Sequence, residues 1–225
     1  MQNEIVPIAH IRSPFRSKFG IPRQSNIVDS VTSVLVFEPE YRNLDAVRGL
    51  EEFDYIWLIW QFSENADHPW SPTVRPPRLG GNSRMGVFAT RSPFRPNSLA
   101  LSSVRLLSVD TTSPEAPLLL LSGADLLDGT PVIDVKPYIP YTDAHPDARS
   151  GFAPDAPDVN PVVCPDNLLF KLPENLRQPL IDILSLDPRP SYHSDPQRVY
   201  GMTFSDFEIK FKVLDDNTIS VIDIF

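Results

Sequence analysis

Residues Gly86–Asn97 read GVFATRSPFRPN. A short apolar run ends there in two arginines, Arg91 and Arg95, on either side of a Ser-Pro pair, and Pro96 stiffens the exit. Pro93 and Pro96 remove backbone donors and fix two φ angles, so the segment cannot be an interior strand and is preordered at low entropic cost. Planar guanidinium groups on a rigid loop suit a carboxylate or a phosphate, and Phe94 offers a ring face to a base or a cation. Local physics leaves a second reading open, in which the segment is a kinked edge strand whose arginines bridge to acids.

A second stretch with chemical content is Gly123–Asp143, GADLLDGTPVIDVKPYIPYTD. Asp128 and Gly129 make a turn, the first as a backbone cap and the second through positive φ. The alternation that follows predicts Val132 and Asp134 on one face and Ile133 and Val135 on the other. Lys136 then stands beside Asp134, with Tyr138 and Tyr141 close by. Acid, amine and phenol at one strand end can bind ribose hydroxyls and a substrate amine, or simply form a salt bridge with aromatic packing. A third stretch, KFGIPRQS, carries Arg23 and Gln24 behind Pro22 just before a strand.

Other chemistries are absent from the pattern. The four histidines, His10, His68, His145 and His193, share no metal-ligand spacing, so no metal is expected. The single cysteine, Cys164, cannot form a disulfide within the chain. The pair Gly80-Gly81 lacks the spacing of a dinucleotide loop and the Lys-Ser/Thr of a phosphate loop, and reads as a hairpin turn that sets the arginines before and after it on neighbouring strands.

The net charge of −9 argues against a protein that coats nucleic acid at large. The charge is unevenly spread. Residues 1–109 hold 12 Lys+Arg and 10 Asp+Glu, and residues 110–225 hold 8 and 19. His68–Val109 contains six arginines and no acid, and Ile5–Val28 holds Arg12, Arg16, Lys18 and Arg23 without one. Two acid-free segments can build a local basic face, or their arginines can pair with acids of the second half. The longest apolar run, Tyr55–Trp60, is far too short to cross a membrane, and a soluble, cytoplasmic protein is expected.

Short alternating or β-branched runs recur: EIVPIAHI, SVTSVLVF, YIWLIWQF, MGVFAT, LSSVRLLSV, PLLLLSG and TPVIDV. Their Gly, Pro, Asn and Asp boundaries predict a mainly β protein built on an antiparallel barrel, with a short helix over Tyr41–Leu50. Residues 143–166, rich in Pro, Asp and Ala, read as a long loop. The expected division is a barrel over 1–145 and, over 146–225, the linker and a small α+β domain. That second unit contains a helix with Leu176, Leu180, Ile183 and Leu184 on one face. Two strands, YGMTFSDFEIKFKV and TISVIDIF, follow and are joined by an Asp-Asp-Asn turn.

Taken together, FGIPRQ, GLEEFDYIWLIWQF, TVRPPRLGGNSRMGVFATRSPFRPNSLALS, GADLLDGTPVIDVKPYIPY and the late DPRPSY and VYGMTF resemble the TsaA-like (TrmO) family. Characterised bacterial members of that family are tRNA threonylcarbamoyladenosine methyltransferases. The resemblance implies a β-barrel that binds S-adenosyl-L-methionine, a small C-terminal domain, a homodimer, and methyl transfer to the exocyclic nitrogen of threonylcarbamoyladenosine next to the anticodon of tRNA. Carried over by position, it places cofactor contacts on Pro22, Arg23 and Gln24, on Glu64 and Asn65, on Arg91 and Leu101, and on Asp128, Gly129, Thr130 and Pro131. It marks Asp134, Lys136 and Tyr138 for catalysis and substrate holding, and leaves Arg75, Arg78, Arg84 and Arg95 to the tRNA backbone or the dimer seam. Two other functions stay open: a non-catalytic module that captures S-adenosylmethionine or a nucleotide and reports it to a partner, which the acidic charge favours, and a methyltransferase with a small-molecule acceptor.

Overall fold

In the computed structural model, residues 5–65, 68–189 and 195–225 are described. The apolar runs form strands. Six of them, β1 (Ala9–Arg12), β2 (Thr32–Phe37), β3 (Tyr55–Gln61), β6 (Leu99–Asp110), β7 (Leu118–Ser122) and β8 (Pro131–Pro137), close a barrel in the order β1-β2-β7-β6-β3-β8. Every pairing in it is antiparallel. Strict alternation along β3 sends Ile56, Leu58 and Trp60 into the core and leaves Tyr55, Trp57 and Ile59 on the outer face. Burial of such a side chain contributes roughly 1.5–3 kcal/mol, so a one-residue slip of β3 is strongly disfavoured.

One alternation differs from the expectation. Asp134 pairs with Ile59 and Val132 with Trp60, so Ile133 is an extra residue in β8. That bulge resets the parity. Val132 and Val135 both pack on the barrel core, while Asp134 and Lys136 stand outward beside Ile59 and Trp57.

Between β3 and β6 the chain makes a small excursion, β4 (Thr73–Val74) paired to β5 (Met85–Gly86), with Gly80 and Gly81 at positive φ in the connection. MGVFAT is therefore mostly not strand, since Val87–Ala89 is a 3-10 turn. The helix expected at Tyr41–Leu50 is likewise a chain of 3-10 turns, Pro39–Tyr41, Leu44–Val47 and Leu50–Glu52, interrupted by Gly49 at φ +84°.

A short helix α1 (Pro140–Asp143) ends the barrel unit, and the second unit holds β9 (Val162–Val163), α2 (Asp166–Leu169), α3 (Glu174–Ser185), β10 (Tyr200–Phe204), β11 (Phe207–Val213) and β12 (Ile219–Ile224). Its sheet runs β10-β11-β12-β9, with β9 parallel to β12. YGMTFSDFEIKFKV is two strands, because Ser205 at φ +54° turns the chain between Phe204 and Phe207. The Asp-Asp-Asn turn forms, with Asn217 at φ +63°. Leu180, Ile183 and Leu184 of α3 are buried on the sheet, and Leu176 packs beside them. Of the stretch DPRPSY, residues 190–192 lie outside the described residues, as does His193.

The two units share a segment. Phe15, Val28 and Val31 are buried in the C-terminal core, with Phe19, Ile21 and Ile27 packed against it. Gly20 sits at φ +98°, and a Cβ there would fall 2.2 Å from the Met202 Sδ. Only glycine meets both conditions without strain. Gly20→Ala is therefore expected to lose about 1–3 kcal/mol of stability, read as a lower urea midpoint; an unchanged midpoint would contradict the close approach.

Candidate active site

The turn after β7 fixes the approach to the site. Asp128 N donates to Phe15 O at 2.9 Å, Gly129 N to Ile11 O at 2.8 Å, and Ser13 N to Asp128 Oδ1 at 2.9 Å. Asp128 also pairs with Arg16, which reaches on to Asp206 of the second unit at 3.6 Å. These bonds hold residues 11–16, and the core below holds Phe19 and Ile21. The loop Pro22–Gln24 is thereby hung beside the end of β3.

There a cleft of about 710 Å³ opens, within the range of small-molecule sites. Its floor is Trp57 and Ile59 from β3 and the half-exposed Leu101 from β6, opposite Ile59. One wall is Pro22, Arg23 and Gln24; the other is the Thr90–Arg95 fork. Glu64 stands at the mouth, where Lys18 approaches it at 3.9 Å. Thr130 lines the inner end and is buried.

The fork is a turn and not an edge strand. Arg95 donates to Val87 O at 3.1 Å and Thr90 O at 2.6 Å, so it holds the fork's shape from within. Arg91 instead reaches across the cleft and donates to Gln24 Oε1. Among the described residues neither arginine pairs with an acid, which leaves Arg91 able to receive an anion.

Of the residues marked in the sequence, the cleft brings together Pro22, Arg23, Gln24, Glu64, Arg91, Leu101 and Thr130. Asp128 lines a second cavity of about 430 Å³ between the barrel and α3, together with Arg12, Arg16 and Asn175. Gly129 and Pro131 line neither cavity. Asn65 ends the 3-10 turn Ser63–Asn65. Asp134 and Lys136 form an ion pair of 2.9 Å on the outer face, on the strand next to Ile59 and Trp57. Tyr138 packs on Trp57 with ring centroids 5.5 Å apart. The arginines of the excursion, Arg75, Arg78 and Arg84, are exposed; Arg78 bonds Asp155 O and Arg84 bonds Thr73 Oγ1.

Two groups in the site lie inside motifs of the sequence that assign them no role. Trp57 donates its indole N–H to Asp143 Oδ2 at 2.8 Å, and Asp143 also accepts from Ile139 N. These bonds hold the Asp143 carboxyl below the usual carboxylate range and fix the indole as a flat wall. The other is Asp125, one turn before the DGTP motif. Its Oδ1 accepts from Ser102 Oγ at 2.7 Å, and Ser102 in turn accepts from Trp60 Nε1 at 3.0 Å. Burial raises the Asp125 carboxyl above its ordinary range, outweighing the Ser102 bond and the field of Arg91. The signal available was an acid between Ala124 and Leu126, both buried.

This raised value has a consequence for stability. As pH climbs, the unfolded chain gives up the Asp125 proton first, so stability falls from the ordinary aspartate value up to the raised folded value and stays lower above it. Asp125→Asn removes that slope while keeping an acceptor for Ser102. In urea unfolding between about pH 4 and about pH 8, the variant is expected to gain on the parent as pH rises. A gap independent of pH would show that Asp125 titrates normally.

Comparison with known proteins places these features in a family. Residues 10–144 match the model of the tRNA-methyltransferase O N-terminal domain, and residues 167–225 match that of the TrmO C-terminal domain. The chain is 41% identical over 217 residues to the tRNA (adenine(37)-N6)-methyltransferase of Escherichia coli K12, covering 92% of each chain. It is 48% identical over 162 residues to the protein of the same name from Eikenella corrodens, covering 72% of this chain and 91% of that one. The crystal structure of TrmO from Pseudomonas aeruginosa superposes with a TM-score of 0.81 at 34% identity, over 100% of this chain and 99% of that one. With a closed six-stranded barrel, a small C-terminal sheet and both domain models matched in order, this chain belongs to the TrmO family.

Proposed function

We propose that this protein transfers the methyl group of S-adenosyl-L-methionine to the exocyclic nitrogen of threonylcarbamoyladenosine next to the anticodon of tRNA, working in the cytoplasm as a homodimer. The observation that carries the reading is the juxtaposition of a donor-sized cleft, walled by Arg91 and Pro22–Gln24, with the outward Asp134–Lys136 pair on the adjoining strand. The residues fit the donor chemically. Arg91 suits its carboxylate, and the Trp57, Ile59 and Leu101 floor suits an adenine and a sulfonium. When bound, the donor supplies an electrophilic methyl carbon.

The chain's own groups supply alignment, dryness and a proton acceptor. The floor and the fork exclude water from the region where the two substrates meet. The acceptor nitrogen is conjugated to a carbonyl and a poor nucleophile, so its proton leaves during or after attack. Asp134 takes that proton, oriented by Lys136 at 2.9 Å and by Val135 N at 2.9 Å. Tyr138 and Trp57, tilted against each other, flank the approach of the base. Arg75, Arg78 and Arg84 on the excursion meet the tRNA phosphates, which makes binding weaken as salt rises.

The test is mass spectrometry of tRNA nucleosides after incubation with methyl-labelled S-adenosylmethionine and threonylcarbamoyladenosine-containing tRNA. A methylated nucleoside is expected, lost with Arg91→Ala and formed about 100-fold more slowly with Asp134→Asn at unchanged donor affinity. Full turnover by Asp134→Asn would remove the base role. Donor binding without product on any tRNA would move the function to another acceptor or to a sensing module.

A further inference from the structure

An ionisable carboxyl in the wall of a cleft needs an explanation, because desolvating a carboxylate is costly unless something compensates. Asp125 meets that description. It lines the cleft beside Trp60 and Ser102, and its Oδ1 is fixed by Ser102 Oγ at 2.7 Å. The brace behind it is rigid, since Ser102 is itself buried and tied to the Trp60 indole at 3.0 Å. Among the described residues no salt bridge compensates the charge. Arg91 acts on Asp125 through space, yet its hydrogen bond goes to Gln24.

The cleft thus presents one cationic and one anionic group, near enough to feel each other and not joined. A ligand that carries both charges on one carbon fits between them, its anion on the guanidinium and its cation on the carboxylate. A free α-amino acid terminus has that pattern, and a phosphate or a neutral nucleoside does not. The adenine and ribose of a nucleoside would occupy the apolar floor of Trp57, Ile59 and Leu101 instead.

We infer that Arg91 and Asp125 form a paired reader for the amino-acid end of the methyl donor, Arg91 taking its carboxylate and Asp125 its ammonium. This rests on the reading of the cleft as the donor site. It makes Asp125 a specificity residue that selects donors bearing a free amine.

Calorimetric titration of the full chain with four ligands tests the assignment. S-adenosylmethionine and S-adenosylhomocysteine carry both charges, decarboxylated S-adenosylmethionine keeps the amine alone, and 5′-methylthioadenosine has neither. Asp125→Asn is expected to weaken the first three about tenfold or more and to leave methylthioadenosine within about twofold. Arg91→Ala is expected to weaken the two carboxylate-bearing ligands and spare the decarboxylated one. Retained methylthioadenosine binding also reports that each variant's cleft is folded. Equal losses on all four ligands, or no loss with Asp125→Asn, would overturn the pairing while leaving the donor-site reading intact. A parent protein that binds none of the four would overturn both.

Discussion

Everything at the candidate cleft depends on the burial of one stretch of backbone in a core that belongs to the other end of the chain. Phe15, Val28 and Val31 are packed among the side chains of α3 and the C-terminal sheet, and Gly20 lies so close to Met202 that any side chain there would force Met202 to shift. The apolar gain of that packing fixes residues 15–31, which would otherwise be an exposed loop between β1 and β2. Pro22, Arg23 and Gln24 project from the fixed stretch into the cleft. The C-terminal unit thus helps to build the site through the segment it anchors.

The DGTP turn is the complementary anchor. Its backbone and carboxylate are consumed by Ile11, Ser13, Phe15 and Arg16, and Arg16 extends the link to Asp206. Asp128 and Gly129 therefore act on the cleft through the segment they hold. The barrel adds stiffness from beneath. β3 is paired along both edges, to β6 and to β8, and displays Trp57 and Ile59 at fixed spacing. A donor bound against such a floor loses little affinity to ordering of the protein. The local charge is arranged in the same spirit. The fork is held by backbone carbonyls, so Arg91 stays available although the protein as a whole is acidic.

The sequence disclosed the barrel because its wall strands are short alternating or continuous apolar runs bounded by turn formers, a signal that survives without tertiary information. The fork was legible for a similar reason, since two prolines and two arginines in seven residues have few cheap explanations. What stayed hidden was tertiary. Nothing near Ile133 announces the bulge that sends Asp134 outward, because a bulge is decided by the pairing partner. Phe15 to Val31 looks like an ordinary loop until its apolar residues are seen to face the second core. Asp125 is one acid among 29 Asp+Glu, and only the packing of Ala124 and Leu126 makes it unusual. The 3-10 turns at residues 39–52 keep a helical sequence pattern, but Gly49 at positive φ divides them.

The most direct measurement is a crystal structure of the protein with S-adenosylhomocysteine. The expected result is a ligand lying over Trp57 and Leu101, between the Pro22–Gln24 loop and the Arg91 fork, with its outer edge toward the strand that carries Asp134. A ligand in the second cavity, between Arg12 and Asn175, would contradict the assignment of the cleft and the positioning role given to residues 15–31.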